Sequence, residues 1–293
     1  MSIANACSLR LAARLVALTL LCAPALDHAA TDSATTRVLL QRYVLENPGA
    51  ERLRHAQFRV YVPVRQTATQ EVESATANHA YRLEVDALGN QIMIFDFDEF
   101  PGYAHQAISI RSVIRSDPGA RRGRPPQVSV DLGAERYIES DAAEIRAQAA
   151  QLRREEPWQT AQALSAWVSS HLSSSRFVAA DLGALVALRS GRGDCTESAY
   201  LFTALARANG IPARPLGGYI MVMGTGAELR GSAYHNWAEF YVDGRWHIAD
   251  PQRGSVDPAG AYIALRIVSS HSVNSLRDAH RYFASAGLVV SVE

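Results

Sequence analysis

The sequence predicts an α+β protein: an N-terminal antiparallel β-sandwich, then a region of helices and antiparallel strands around one buried helix. Three observations predict it. Residues 37 to about 116 are β-rich, and several stretches alternate apolar with polar residues as half-buried antiparallel strands do. Helical spacing begins near Asp141. The run Ala199 to Ala208 is mostly apolar, so a helix there is buried. The expected division is a signal peptide at 1–30, the sandwich at 31–135 and a second domain at 136–293.

Taken in order, the chain opens with Arg10 and Arg14 ahead of the apolar run "LVALTLLCAPAL". That run is too short to span a bilayer comfortably, and small residues follow it in "APA" and "HAA". It reads as a secretory signal, cut between about residues 26 and 32. Leu21 before Cys22 is a poor match to a lipoprotein signal. No later segment is long and apolar enough for a stable membrane span. The expected location is periplasmic or secreted.

The strands expected next are "RVLLQRYVLE", "QFRVYVPV", "HAYRLEVD", "NQIMIFDFDEF" and "HQAISIRSVIRS", parted by turn signals such as "ENPGAE" and "ALGN". "RSDPGARRGRPPQ" reads as a solvated linker. Asp141 and Glu144 stand at capping-box spacing before the helix "DAAEIRAQAAQLRREE". Pro157 suits the first turn of a second helix, in which Leu164, Trp167, Val168 and Leu172 recur on one face as core. Strands are expected near 216–223, 233–242 and 245–250, followed by a helix over "SVNSLRDAHRYFA" and a final strand "LVVSVE".

Composition narrows the function classes. The 293 residues carry a formal net charge of +0, which gives no field for nucleic acid or an acidic membrane surface. All 29 cationic residues are arginine. Of the three cysteines, Cys7 and Cys22 lie in the signal, so cleavage leaves Cys195 with no intramolecular partner. A lone thiol kept in an oxidising compartment is either a small buried hydrophobe or a group in use.

Its setting favours use. Asp194 and Glu197 have the spacing of a second capping box, which puts Cys195 at the first helical position; Asn209, Gly210 and Pro212 stop the helix. Backbone N–H groups and the helix dipole there favour an anion, so a thiolate gains. Asp194 works against it, and a cationic neighbour is needed.

A hairpin supplies one. "AYHNWAEFYV" alternates like a strand, Asp243–Gly244 is a two-residue turn signal, and "RWHIAD" returns. With that loop, Val242 faces Arg245, Tyr241 faces Trp246 and Trp237 faces Asp250. His235, two residues from Trp237, then shares a face with Asp250 as its diagonal neighbour. His247 pairs with Phe240 and leaves from the opposite face.

"GRGDCTESAYLFTALARANGIPARPLGGY" and "YHNWAEFYVDGRWHIADPQ", with their order cysteine, histidine, aspartate, resemble the transglutaminase-like superfamily of papain-related cysteine enzymes. The likeness covers roughly residues 140 to 255, and the β-rich region before it loosely resembles the sandwich that bacterial members often place first. The resemblance implies a buried catalytic helix packed on an antiparallel sheet. It makes Cys195 the nucleophile, His235 the base and then the acid, and Asp250 the group that orients the imidazole. One departure is Thr196, where many bacterial members carry glutamine.

The oxyanion hole is expected to include the Cys195 backbone N–H. Its second donor is open; Trp158 and Trp167 are among the upstream candidates. Trp237 either shields the dyad from water or only packs, and Gly217 and Gly218 either admit a close backbone approach or mark a bulge. The activity implied is attack on an amide carbonyl through a thioester. Water resolves it in a peptidase or amidase, an amine in a transglutaminase or other acyl transferase; an inactive binding or scaffold module is the third reading. Zinc held by Cys195, His235 and Asp250 lacks supporting ligand spacing, so no metal or cofactor is expected. The partner expected is a protein, peptide or cell-wall amide substrate.

Overall fold

In a computed structural model the described residues are 34–117, 125–174, 181–221, 233–277 and 279–293. The expected signal peptide, and residues 118–124 of the arginine-rich loop, lie outside them. The first region holds β1 (Thr35–Glu46), β2 (Leu53–Val62), β3 (Gln70–Ala77), β4 (Arg82–Val85), β5 (Gln91–Phe100) and β6 (His105–Ser116). Helices α1 (Val128–Asp131), α2 (Ala143–Leu152), α3 (Pro157–His171), α4 (Ala184–Ser190) and α5 (Cys195–Ala208) follow, with the two-residue strands β7 (Ser173–Ser174) and β8 (Arg192–Gly193) on either side of α4. The remaining strands are β9 (Ala213–Met221), β10 (Tyr234–Val242), β11 (Arg245–Asp250), β12 (Ser255–Val256), β13 (Ala261–Ile267), β14 (Tyr282–Ala284) and β15 (Val289–Val292). The protein is α+β, with a β-rich N-terminal region.

Two four-stranded antiparallel sheets, β15-β1-β6-β3 and β14-β2-β5-β4, make the first region. Their inward residues share a core of Tyr43, Leu45, Phe58, Val60, Phe95 and Ile108, which is why the alternation was legible. The division expected at 135/136 assigns the last two strands to the second region; their hydrogen bonds run instead to β1 and β2. The helix expected over "SVNSLRDAHRYFA" does not form: residues 275–277 turn, and Tyr282–Ala284 pairs with Phe58–Val60. Tyr282 there packs on Tyr43 and Phe58, a tertiary contact that outweighs local helical spacing.

The expected strands form, and so do several that the sequence did not mark, β3 and β13 being the longest of them. β3 is an edge strand of mostly polar residues, and β13 is buried throughout, so neither alternates cleanly. The helix α2 starts at Ala143 without a side-chain cap, and Glu144 instead pairs with Arg189 at 2.7 Å. The capping box expected from Asp141 is therefore absent; the backbone begins its helical turn one residue too late for Asp141 to serve, with Ala142 at the N-cap.

The third sheet, in order β12-β11-β10-β9-β13, positions the site. One face carries Ala238, Phe240 and Ala249 against α5 and α3. The sandwich region makes the second contact: Trp237, Ile248 and Tyr262 on the other face pack with Val64 and Leu88, and Tyr219 and Ile263, which the register puts on the Phe240 face, pack with Tyr61 and Ile92. Polar groups pin that second contact. Gln70 bonds both the N–H and the C=O of Ala264, and Glu239 accepts from Ala68 N–H at 2.9 Å while holding the buried Arg214 at 2.6 Å. A sheet covered on both faces explains the almost unbroken burial of β9 and β13.

Candidate active site

The helix start is fixed by backbone chemistry. Asp194 Oδ1 accepts from Thr196 N–H at 2.7 Å, and Glu197 Oε2 accepts from Asp194 N–H at 3.1 Å, closing the capping box. Glu197 is buried, and its other oxygen accepts from Leu182 N–H at 3.1 Å. Burial pushes its carboxyl up; the two backbone donors oppose that and the Asp194 charge adds to it, leaving it raised. Gly193 is required here, because a Cβ on it would lie 2.5 Å from Glu197 Cβ. These contacts leave Cys195 at the first position of α5, partly exposed and the free cysteine of the described residues.

The hairpin has the register that a two-residue loop demands. Asp243 and Gly244 both have positive φ, 53° and 77°, and Val242 pairs with Arg245, Tyr241 with Trp246 and Phe240 with His247. Beyond the last pair, Ala238 with Ala249, His235 Nε2 lies 2.9 Å from Asp250 Oδ2. Asp250 is fully buried; the same oxygen accepts from Tyr262 Oη at 2.9 Å, and Arg253 Nε stands 3.5 Å away. Burial would raise the Asp250 carboxyl, but His235, Tyr262 and Arg253 together hold it below the usual carboxylate range.

His235 answers in the opposite sense. Burial disfavours its charged form, yet hydrogen bonds and charge from Asp250 and Cys195 outweigh burial and lift the imidazole to about 9. Asp250 takes Nε2, so Nδ1 is the nitrogen left for the sulfur. The imidazole is thus a cation at neutral pH, beside a sulfur that a cation favours as thiolate. Cys195, His235 and Asp250 come together.

The other residues singled out by sequence are placed as follows. His247 leaves from the opposite face, where Nδ1 meets Asp257 Oδ2 at 2.8 Å between the rings of Trp158 and Phe240. Trp158 is engaged there, and Trp167 stacks on His171 at 4.3 Å between centroids. Trp237 is buried, edge-on to Tyr262, the ring whose hydroxyl donates to Asp250. Gly218 allows a close backbone approach: its Cβ would lie 2.0 Å from Ile263 O, beside a bulge in β13 between Ala264 and Arg266.

Two neighbours escaped the sequence. Tyr262 reaches Asp250 from β13, although β9 and β10 separate β13 from β11 in the sheet. Asn236 turns to the α5 side, with Nδ2 3.5 Å from Cys195 Sγ and 2.9 Å from Thr196 Oγ1. Strand alternation does put Asn236 and His235 on opposite faces, but only the packing of the helix start reveals that both reach one sulfur.

Comparison with known proteins agrees with this architecture. The transglutaminase-like superfamily core matches residues 146–251. No curated protein matches the chain. Among solved structures, a candidate cysteine protease from Cytophaga hutchinsonii is similar over 89% of this chain and 90% of its own, at 17% identity and a TM-score of 0.58. The periplasmic domain of TgpA from Pseudomonas aeruginosa, bound to ethylmercury, aligns over 76% of this chain and 92% of its own, at 18% identity and a TM-score of 0.38. Residues 146–251 thus match the core of the transglutaminase-like superfamily, and the arrangement of helix and sheet around them is the fold shared with the Cytophaga hutchinsonii structure.

Proposed function

We propose that the protein is an exported cysteine-dependent enzyme that opens an amide carbonyl through a thioester on Cys195, and that water resolves the thioester. The observation carrying this reading is His235, bound through Nε2 to a buried carboxylate and lifted to a pKa of about 9 by that carboxylate and by Cys195. In the proposed cycle the thiolate attacks the carbonyl carbon, a C–S bond forms and the C=O π pair moves onto oxygen. The imidazolium then gives its proton to the leaving nitrogen as the C–N bond breaks. Neutral imidazole next takes a proton from water, whose oxygen attacks the thioester and returns the sulfur. Asp250 keeps the ring oriented and stabilises each imidazolium.

The substrate class proposed is a protein, peptide or cell-wall amide. Hydrolysis is favoured over acyl transfer with support from a solved structure of similar fold, at a TM-score of 0.58, that is a candidate cysteine protease. The absence of lysine adds that the chain has no side-chain amine with which to cross-link itself. The periplasm or the exterior is the proposed location, from the N-terminal run described above; N-terminal sequencing of the exported protein checks it, and an intact Met1 product would end it.

The decisive experiment is intact-mass analysis after exposure to p-nitrophenyl acetate, then to a glutamine-containing peptide with a labelled primary amine. Acetyl on wild-type Cys195 and none on Cys195→Ala is the expected result. Amine incorporation well above hydrolysis would turn the reading to acyl transfer. A wild-type thiol that never acylates would make the domain a binding module.

A further inference from the structure

We propose that Asn236 supplies the second donor of the oxyanion hole, beside the Cys195 backbone N–H, with Thr196 and Gly217 holding its carboxamide in place. This rests on the thioester reading above. The hole needs two hydrogen-bond donors within ~3 Å of the oxygen that becomes negative on attack. The N–H at the first helical position is one, since the α-helix gives it no intrahelical acceptor. The two tryptophans upstream are occupied elsewhere, against His247 and His171.

Asn236 meets the requirement from the strand side. Its Nδ2 stands 3.5 Å from Sγ, near enough to reach an oxygen on a carbon bonded to that sulfur. Its side chain is buried, so the donor is screened from water that would weaken it. One of its two N–H groups is spent on Thr196 Oγ1 at 2.9 Å, which fixes the carboxamide plane and turns the other N–H to the sulfur. The reverse orientation of the amide would set a carbonyl oxygen against a thiolate, two acceptors face to face.

Gly217 completes the arrangement. It is the register partner of Asn236 on β9, and a Cβ there would stand 2.7 Å from Asn236 Oδ1 and 2.1 Å from Tyr234 Oη. Any side chain at 217 would push the carboxamide off the sulfur. Three departures from an ordinary strand and helix start, at 196, 217 and 236, thus serve one hydrogen bond. In the step itself Sγ bonds to carbon, the carbonyl π pair becomes an oxygen lone pair, and the two N–H groups stabilise it without giving up a proton. Collapse returns the pair and expels the leaving group.

Two probes separate this role from simple thiolate stabilisation. Iodoacetamide alkylates sulfur at a saturated carbon and builds no oxyanion; p-nitrophenyl acetate acylates through one. Asn236→Ala and Asn236→Ser, each verified as folded by thermal melting, should acylate ~10²-fold more slowly than wild type, the size expected for one lost oxyanion donor. Their alkylation at pH 6 should stay close to wild type. Gly217→Ala should reproduce the acylation loss. Wild-type acylation in either Asn236 variant would overturn the proposal and leave the Cys195–His235–Asp250 reading standing. Equal slowing of both probes would overturn it too, by assigning Asn236 to the thiolate. Failure of the wild type to acylate while its thiol alkylates would overturn the thioester reading and this one with it.

Discussion

The β10–β11 hairpin presents a histidine on each face, and each histidine meets an aspartate. On one, His235 and Asp250 meet at 2.9 Å; on the other, His247 and Asp257 meet at 2.8 Å. Both histidines are largely buried and both bonds are short, so distance and burial do not tell the pairs apart. Surroundings do. His235 leaves one ring nitrogen to a cysteine at a helix start, whereas His247 is enclosed by Trp158 and Phe240, and its Nε2 has no hydrogen-bond partner among the described residues. His235 is lifted to about 9 because two anionic or potentially anionic groups face it. A histidine–aspartate pair becomes chemistry only where its free nitrogen has something to act on.

The largest contrast is expected from removing each ring. His235→Ala should abolish turnover, and its Cys195 should alkylate at pH 6 no faster than a free thiol. Iodoacetamide kinetics measure this, and unchanged rates would dissolve the difference between the faces. Next in size is the carboxylate. Asp250→Asn keeps the shape but loses the charge behind the imidazolium, so turnover should fall by up to ~10⁴-fold, while Asp257→Asn should spare it. Comparable losses in the two variants would show that both pairs serve the reaction.

The third effect is on pH. The leaving nitrogen needs a proton from His235, so amide turnover should fall as pH rises through about 9. Asp250→Asn should move that limb to lower pH in whatever activity survives. The sign for stability follows from the same lift: the imidazolium stabilises the fold fully below pH 6.5, and the contribution is lost as pH rises through about 9. Unfolding midpoints between pH 6 and 10 should therefore decline in wild type and stay flatter in His235→Ala.

The smallest effect on chemistry belongs to the second pair. His247→Ala should leave turnover nearly unchanged while costing about 1–3 kcal/mol of stability, because it opens a gap between Trp158 and Phe240 and removes the imidazole partner of Asp257. Denaturant unfolding beside an activity assay reads both quantities. A stable but inactive variant would move His247 into the site.

The sequence by itself determined the local geometry at both ends of the site. Asp194, Glu197 and the apolar run after them specify a capped, buried helix, and Asp243–Gly244 specifies the register that brings His235 to Asp250. Both follow from backbone hydrogen bonds between residues near in sequence, which leave few alternatives. Tertiary structure decided the rest. It set Asn236 against Cys195, carried Tyr262 to Asp250, and put the sandwich strand β14 at the end of the segment where a helix was expected. Those contacts join residues far apart in the chain, and side-chain packing rather than local pattern selects among the partners. His235 and His247 differ by that alone: one hairpin presents each to a different neighbour, and only the packing around it decides which neighbour is a sulfur.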